Sequence, residues 1–274
     1  MLNNRQGRAP EAEPLFRESL EIHKRLYGMT NGFTIRSANG LASALIAQGK
    51  AGEAEALLRE ELSILREKAD DHWEPFWARN LLGCSLMLQK RYLEAEPLLT
   101  SGYLGMKQRD EAILHGGDTI HAFDLETARS WVSKFYEETG WVDKAAEWKR
   151  MLAAAQRSEA ERYKKAADGG DLKSADALAR LLATSPYAEV RNGPEAVQYA
   201  VQAASRSNQK DAEILDTLAA AYAESGDFDR AVSVEQQAIA LLKEGSVRRG
   251  FALRLELYKA RKPFRQTEER EGKE

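Results

Sequence analysis

Cysteine is nearly absent from this chain of 274 residues: Cys84 is the single one, so no intrachain disulfide can form. Such scarcity is typical of a reducing compartment, and a cytoplasmic location is expected. Long apolar runs are absent as well. None reaches the roughly 18 residues that a membrane-spanning helix needs. The amino-terminal stretch MLNNRQGRAPEAEPLF lacks the apolar centre of a signal peptide. We therefore expect no membrane partner.

Histidine is scarce too, and His23, His72, His115 and His121 share no spacing that would place two metal ligands on one face. Cys84 has no neighbouring His or Asp pair of the kind that activates a nucleophile, so a small packing residue is the simpler interpretation. The formal net charge of −3 provides no basic surplus for nucleic acid. These absences predict a protein without catalytic residues, metal or cofactor, and without a nucleic-acid partner.

What the chain does contain is a repeat. The sequences EAEPL, EAEAL and EAEPL, at 11–15, 53–57 and 94–98, each begin a stretch rich in helix-forming residues. The alanines at equivalent positions lie 42, 41, 50, 51 and 35 residues apart, and they are Ala12, Ala54, Ala95, Ala145, Ala196 and Ala231. A period near 40 residues that recurs along most of the chain predicts a solenoid of stacked helical units.

The clearest unit is the stretch 213–242, EILDTLAAAYAESGDFDRAVSVEQQAIALL. Its first half predicts an amphipathic helix with Leu218 on the inner face. Gly226 is suited to end that helix, because glycine adopts the left-handed conformation without penalty. Asp227 can cap a second helix, in which the small side chain of Ala231 faces inward. The stretch therefore predicts two antiparallel helices that approach each other closely.

This two-helix pattern resembles the tetratricopeptide motif, W-x2-L-G-x2-Y followed by A-x3-F, with Leu215, Ala219 and Glu235 in place of the Trp, Gly and Phe. The resemblance implies an all-α fold, a right-handed superhelical TPR solenoid of antiparallel helix pairs. It assigns the structural repeat positions to Leu41, Ala54, Leu82, Gly83, Ala95, Tyr136, Ala145, Ala196, Leu218, Tyr222, Ala231 and Ala238.

The predicted array has three parts, which are a TPR array of about four units with the first incomplete (1–167), TPR-like units with a capping helix (168–262) and a flexible charged tail (263–274). Little chain precedes the first repeat, so Leu15, Phe16 and Leu20 should be partly uncovered. This open end is a candidate surface for self-association. The final capping helix is predicted from its apolar residues Val247, Phe251, Leu253, Leu255 and Tyr258.

Two further resemblances concern subclass and context. The stretch EAEPLFRESLEIHKRLYG at 11–28 resembles the kinesin-light-chain-like subclass of repeats. The stretches at 81–109 and 215–241 resemble the repeats that follow the kinase domain in many bacterial serine/threonine protein kinases, and LELYKARKPFR at 255–265 resembles their C-terminal end. The chain itself has no glycine-rich loop, HRD or DFG motif. The resemblance therefore implies a scaffold or a sensor arm and not phosphoryl transfer.

Candidate binding residues occupy two positions in each unit. The first lies two residues before the motif leucine, or before its equivalent Val132. The second lies four residues after the first. These positions should face the concave groove that the first helices of the units line. Asn39 and Asn80 each offer donors and an acceptor, which suits an extended peptide backbone. Alternatively, each Asn satisfies a neighbouring helix terminus. The predicted groove comprises Asn39, Ser43, Asn80, Ser130, Lys134, Asp176, Arg180 and Asp216.

These observations predict a non-enzymatic protein–protein interaction scaffold that binds a peptide or a protein surface in the concave groove. The alternative is an accessory, dimerisation or sensor arm of a larger serine/threonine protein kinase, which the missing first helix of the first repeat favours. The reading frame upstream of Met1 would separate the two hypotheses.

Overall fold

The computed structural model describes residues 9–65, 73–113, 122–242 and 245–266. Within these ranges the chain forms twelve α-helices and no β-strand, which confirms the all-α prediction. The helices are α1 (Ala9–Tyr27), α2 (Gly32–Ala47), α3 (Ala51–Leu65), α4 (Glu74–Leu88), α5 (Tyr92–Ile113), α6 (Ala122–Thr139), α7 (Val142–Asp168), α8 (Leu172–Thr184), α9 (Gly193–Arg206), α10 (Ala212–Glu224), α11 (Phe228–Ala240) and α12 (Ser246–Lys259).

The chain divides into two compact units, unit 1 (Met1–Ala145) and unit 2 (Ala146–Glu274). The division falls near the start of α7. The boundary after residue 167 that the repeat pattern suggests stays a prediction. Most of the predicted tail, 267–274, lies outside the described residues.

Unit 1 is a stack of antiparallel pairs in which α2, α4 and α6 are the first helices and α1, α3 and α5 are second helices. Each helix from α1 to α6 packs against the next one along the chain, and α4 also contacts both α2 and α6. Small residues permit this close stacking. A Cβ atom at Gly83 would lie 2.8 Å from the backbone nitrogen of Leu99, so only glycine lets α4 and α5 approach this closely here.

Unit 2 repeats the arrangement with α8 against α9, α9 against α10, α10 against α11, and α8 against α10. Gly226 has φ +86, and the Asp227 side chain accepts a hydrogen bond from the Arg230 amide at 3.1 Å, which confirms the predicted turn and cap. The structural repeat positions of both units are buried, except for Ala145 and Tyr222, which are partly exposed. The motif therefore identifies the core.

At the predicted position of the C-terminal capping helix lies α12, which packs against α11 and buries Phe251 and Tyr258. Val247 and Leu253, predicted to belong to the same apolar face, are more than half exposed. After α12 the chain makes a turn at residues 260–261, and residues 262–266 have no regular secondary structure. The backbone amide of Gln266 donates a hydrogen bond to the carbonyl of Thr184 at 2.8 Å. This contact ties the last described residue back to the end of α8.

At the other end, the expectation of an uncovered α1 face is confirmed for Leu15, which is 67% exposed. It is wrong for Leu20, which is buried, because this side chain points between α2 and α3 toward Ile35 and Leu57. Phe16 is partly exposed, and its ring lies against Gly40 of α2. One face of α1 thus packs on unit 1 and the opposite face is open.

Candidate partner-binding surface

Asn39 lies on α2 and is almost completely buried. Its Nδ2 atom donates a hydrogen bond of 3.2 Å to the carbonyl of Glu74, the first residue of α4. Its Oδ1 atom has no hydrogen-bond partner among the described residues. The side chain therefore links two successive first helices.

Asn80 makes the equivalent link one repeat later, from α4 to its neighbours. Its Nδ2 atom donates to the carbonyl of Leu99 on α5 at 3.0 Å and to the carbonyl of Ala128 on α6 at 3.3 Å. The Cys84 thiol donates to the Oδ1 atom of Asn80 at 3.9 Å. Burial raises the pKa of Cys84 well above its ordinary value, which makes this thiol a poor nucleophile and supports its interpretation as a packing residue.

The two asparagines thus hold the first helices of unit 1 at fixed spacing. Their amide donors are engaged with backbone carbonyls of neighbouring helices. The other predicted positions in unit 1 remain partly exposed, namely Ser43 on α2 and Ser130 and Lys134 on α6. The Lys134 Nζ atom lies 5.2 Å from the centre of the Trp131 ring. We call these three residues the first-helix surface of unit 1.

The predicted positions in unit 2 form ion pairs within the protein. Asp176 pairs with Arg180 on the same helix at 2.8 Å. Asp216 on α10 pairs with Arg254 of α12 at 2.5 Å, so its carboxylate is turned toward the capping helix. Burial is the main reason that the pKa of Asp216 is raised. Within unit 2, Arg180 is therefore the most accessible of the predicted residues, whereas the Asp176 and Asp216 side chains are mostly buried.

Glu235, which replaces the motif phenylalanine, is fully buried beside Asp216. Burial, and then the neighbouring Asp216 carboxylate, raise the pKa of Glu235 far above its ordinary value, which favours a protonated carboxyl in the folded protein. The nearest cation is Arg254, at 4.0 Å. The alignment with the repeat motif predicts that Glu235 faces the core. Helical periodicity alone does not predict that a cation from another helix will lie near its carboxyl group.

A cleft that the sequence did not predict lies between α3, α4 and α5, with a volume of about 520 Å³. Its lining is mostly apolar and includes Pro75 and Leu82, together with Arg59 and Arg79. Arg59 is already paired with Glu55 at 2.9 Å, and the Arg79 guanidinium lies 4.7 Å from the centre of the Phe76 ring. The residues that line the cleft come from three helices, so no local sequence pattern predicts the cleft.

Neither a metal site nor a membrane span is found in the described parts of the chain. No group of three His, Cys, Asp or Glu side chains there is arranged to hold a metal ion. No helix there combines the length and apolar character needed to cross a bilayer. His23 forms a 2.9 Å hydrogen bond with the hydroxyl of Ser37. His72, His115 and His121 lie outside the described residues.

Comparison with known families identifies two segments of the chain. Residues 1–67 match one tetratricopeptide-repeat model, and residues 212–245 match a second. These segments are tetratricopeptide repeats, a class that generally serves as non-enzymatic scaffolds for protein–protein interaction. No curated protein sequence matches the chain significantly.

Three solved structures are similar to parts of this chain. One contains nearly identical TPR-like repeats from a protein assigned as a kinesin light chain in Podosopora anserina. It is 20% identical to this chain, the match covers 76% of this chain and 94% of that chain, and the TM-score is 0.37. A variant of that protein is 21% identical, with 76% of this chain and 93% of that chain covered and a TM-score of 0.37. BtubC (BKLC) from P. vanneervenii is 15% identical, with 92% of this chain and 87% of that chain covered and a TM-score of 0.38.

Proposed function

We propose that the chain binds an extended peptide or a protein surface along the first helices of unit 1, on the side that forms the concave groove of a tetratricopeptide array. The observation that carries this proposal is the pair of asparagine links. Asn39 joins α2 to α4, and Asn80 joins α4 to α6, each through hydrogen bonds to backbone carbonyls. A surface whose helices are held in place before binding loses less conformational entropy when a partner docks.

In this proposal the asparagines and the exposed residues have different roles. Asn39 and Asn80 maintain the spacing of the helices, and the first-helix surface contacts the partner. Ser43 and Ser130 can hydrogen-bond a peptide backbone, and Lys134 can pair with an acidic side chain. In unit 2, the exposed Arg180 is the corresponding candidate, while Asp176 and Asp216 are paired with Arg180 and Arg254. The preferred partner for unit 1 is therefore an extended segment with at least one acidic residue.

A peptide-display selection against the full chain tests the proposal. Enriched peptides are titrated by fluorescence anisotropy against the wild type, Lys134→Glu and Ser43→Trp. We expect about tenfold weaker binding to each variant, from charge reversal in the first and steric blockage in the second. Arg150→Glu, an exposed charge reversal on α7, is the matched control and should bind like the wild type.

The proposal fails if folded Lys134→Glu and Ser43→Trp bind every enriched peptide as tightly as the wild type does. Circular dichroism of each variant verifies folding. Asn39→Ala separates the two roles: as a spacing residue it should lower the melting temperature, and peptides should still bind at temperatures where the variant is folded.

The sequence resemblance to repeat regions of bacterial serine/threonine kinases supports a second hypothesis. In it, the same scaffold is an arm that positions or pairs a kinase domain. A genomic reading frame that joins this chain to a kinase domain would support the hypothesis, and a frame bounded at Met1 and Glu274 would exclude it.

A further inference from the structure

The open face of α1 is a regular apolar stripe. Leu15, Ile22 and Leu26 are 67%, 39% and 60% exposed, and Ser19 lies among them. Steps of four, three and four residues place these side chains on one side of the helix. We call the four residues the α1 stripe. Apolar side chains that line up in this way on a helix surface are suited to pair with another helix.

The side of α1 opposite the stripe is occupied by α2 and α3. Leu20 is buried against α2 and α3. Arg17 pairs with Glu13 at 2.8 Å and with Glu53 of α3 at 3.1 Å. Lys24 lies 3.8 Å from Glu60, also on α3. These contacts fix the rotation of α1 about its axis, so Leu15, Ile22 and Leu26 face away from the core of unit 1. Ser19, at the inner border of the stripe, forms a hydrogen bond of 2.8 Å with the hydroxyl of Ser37 on α2.

Charged residues along one edge of the α1 stripe indicate which partner fits it. Glu18 and Arg25 lie two turns apart on the same edge, and both are exposed. Within the described ranges neither forms an ion pair, in contrast to Arg17 and Lys24 on the opposite side. An edge that is acidic in its first half and basic in its second half is complementary to an inverted copy of itself.

We propose that two copies of this chain associate through their α1 stripes, with the helices antiparallel about a two-fold axis between positions 20 and 21. Leu15 of each copy then packs on Leu26 of the other, and Ser19 lies against Ile22. Glu18 of each copy lies beside Arg25 of the other, which creates two equivalent ion pairs. Such an interface is isologous, as in most protein homodimers. A parallel arrangement would place the Glu18–Arg25 edges of the two copies on opposite sides of the interface, so neither ion pair could form.

Sedimentation equilibrium of the full chain, from low micromolar to near-millimolar concentration, tests the association. We expect a reversible dimer that Leu26→Glu weakens by at least tenfold, because it places a charge in the apolar contact. Leu93→Glu is the matched control. Leu93 is 82% exposed on α5, outside the α1 stripe, and its replacement should leave dimerisation unchanged. A chain that stays monomeric at every concentration overturns the proposal, as does equal dimerisation of the wild type and Leu26→Glu.

Charge reversal and cross-linking test the antiparallel orientation. Glu18→Arg and Arg25→Glu should each weaken the dimer several-fold, and the double variant should restore it, because both ion pairs re-form with opposite polarity. Oxidation of a mixture of Leu15→Cys and Leu26→Cys chains should yield the mixed disulfide. In the antiparallel dimer the two copies of residue 15 lie about 16 Å apart along the axis. Failure of the double variant to recover, or rapid formation of Leu15→Cys homodimers, excludes the proposed arrangement.

This inference does not depend on the proposed partner site. The α1 stripe lies on a second helix, whereas the first-helix surface of unit 1 lies on α2 and α6. Lys134→Glu should therefore weaken peptide binding without changing the dimer, and Leu26→Glu should do the reverse. Either proposal can fail while the other stands.

Discussion

Replacement of Glu61 by glutamine should make unit 1 more stable at neutral and alkaline pH. Glu61 lies on α3 and is 3% exposed, and neither of its carboxyl oxygens has a hydrogen-bond partner in the described structure. It borders a cavity of about 20 Å³, room for about one water molecule, with Leu20 and Ile35 in the lining. Burial raises the pKa of Glu61 to about 8. An ionised carboxylate is therefore poorly solvated in the folded protein.

The sign of the effect follows from proton linkage. The pKa of Glu61 is higher in the folded chain than its ordinary value of 4.5, so the folded state holds the extra proton between about pH 4.5 and 8. Stability is then greatest below this window and falls by up to about 1.4 kcal/mol per pH unit as pH rises through it. Between pH 5 and pH 8 the wild type should lose roughly 2–4 kcal/mol from this one residue. Glu61→Gln does not titrate and should lose none of it.

Urea unfolding followed by tryptophan fluorescence at pH 5, 6, 7 and 8 measures this difference. Four of the five tryptophans lie in unit 1, which makes the signal sensitive to its unfolding. The variant should match the wild type near pH 5 and exceed it by roughly 2–4 kcal/mol at pH 8. Glu60→Gln is the matched control, because the Glu60 side chain is 60% exposed. If Glu61→Gln shows the same pH dependence as the wild type, the reasoning from burial is wrong.

Three further substitutions test the packing. Ala231→Leu should destabilise unit 2 by roughly 1–3 kcal/mol, since Ala231 is fully buried and has no room for a larger side chain. Thermal melting measures this, with Ala252→Leu, at an exposed alanine of α12, as the control. Gly83→Ala should lower the free energy of unfolding in urea titrations by a comparable roughly 1–3 kcal/mol, because its methyl group would overlap Leu99. Asn80→Ala should destabilise unit 1 by about 1–3 kcal/mol, since two backbone carbonyls lose a buried donor. Amide exchange localised to α4–α6 would show it, and unchanged protection there would argue against the spacing role.

The turn and the inner face of the clearest repeat were predictable because their causes are local. Gly226 has a positive φ and Asp227 caps the next helix, as the order of residues alone indicates. Ala231 and Leu218 are buried because a period of 3.6 places them on the inner face. Each of these features involves residues within one helix pair. No knowledge of the neighbouring repeats is needed.

The environment of Asn80 could not be predicted in the same way. Helical periodicity gives the direction of this side chain relative to its own helix, but not how closely the next helices approach. Gly102 and Gly105 of α5 determine how closely α5 approaches α4. A Cβ atom at Gly102 would lie 2.7 Å from the Asn80 backbone nitrogen, and one at Gly105 would overlap the Phe76 ring. The two glycines allow α5 to press against α4, and Asn80 becomes an internal donor instead of a groove residue.

Glu235 shows how the capping helix compensates a departure from the repeat motif. A carboxyl group replaces the motif phenylalanine, and it is buried next to a second acid, Asp216. Two carboxyl groups so close cannot both be ionised at low cost, and burial of even one charge requires a nearby cation. Arg254 supplies that cation from α12, at 2.5 Å from Asp216 and 4.0 Å from Glu235. The three residues lie on three different helices, so the charge is balanced only when α12 is docked. The capping helix therefore covers the apolar end of the array and also supplies the counter-ion of Asp216, which lies beside the protonated Glu235.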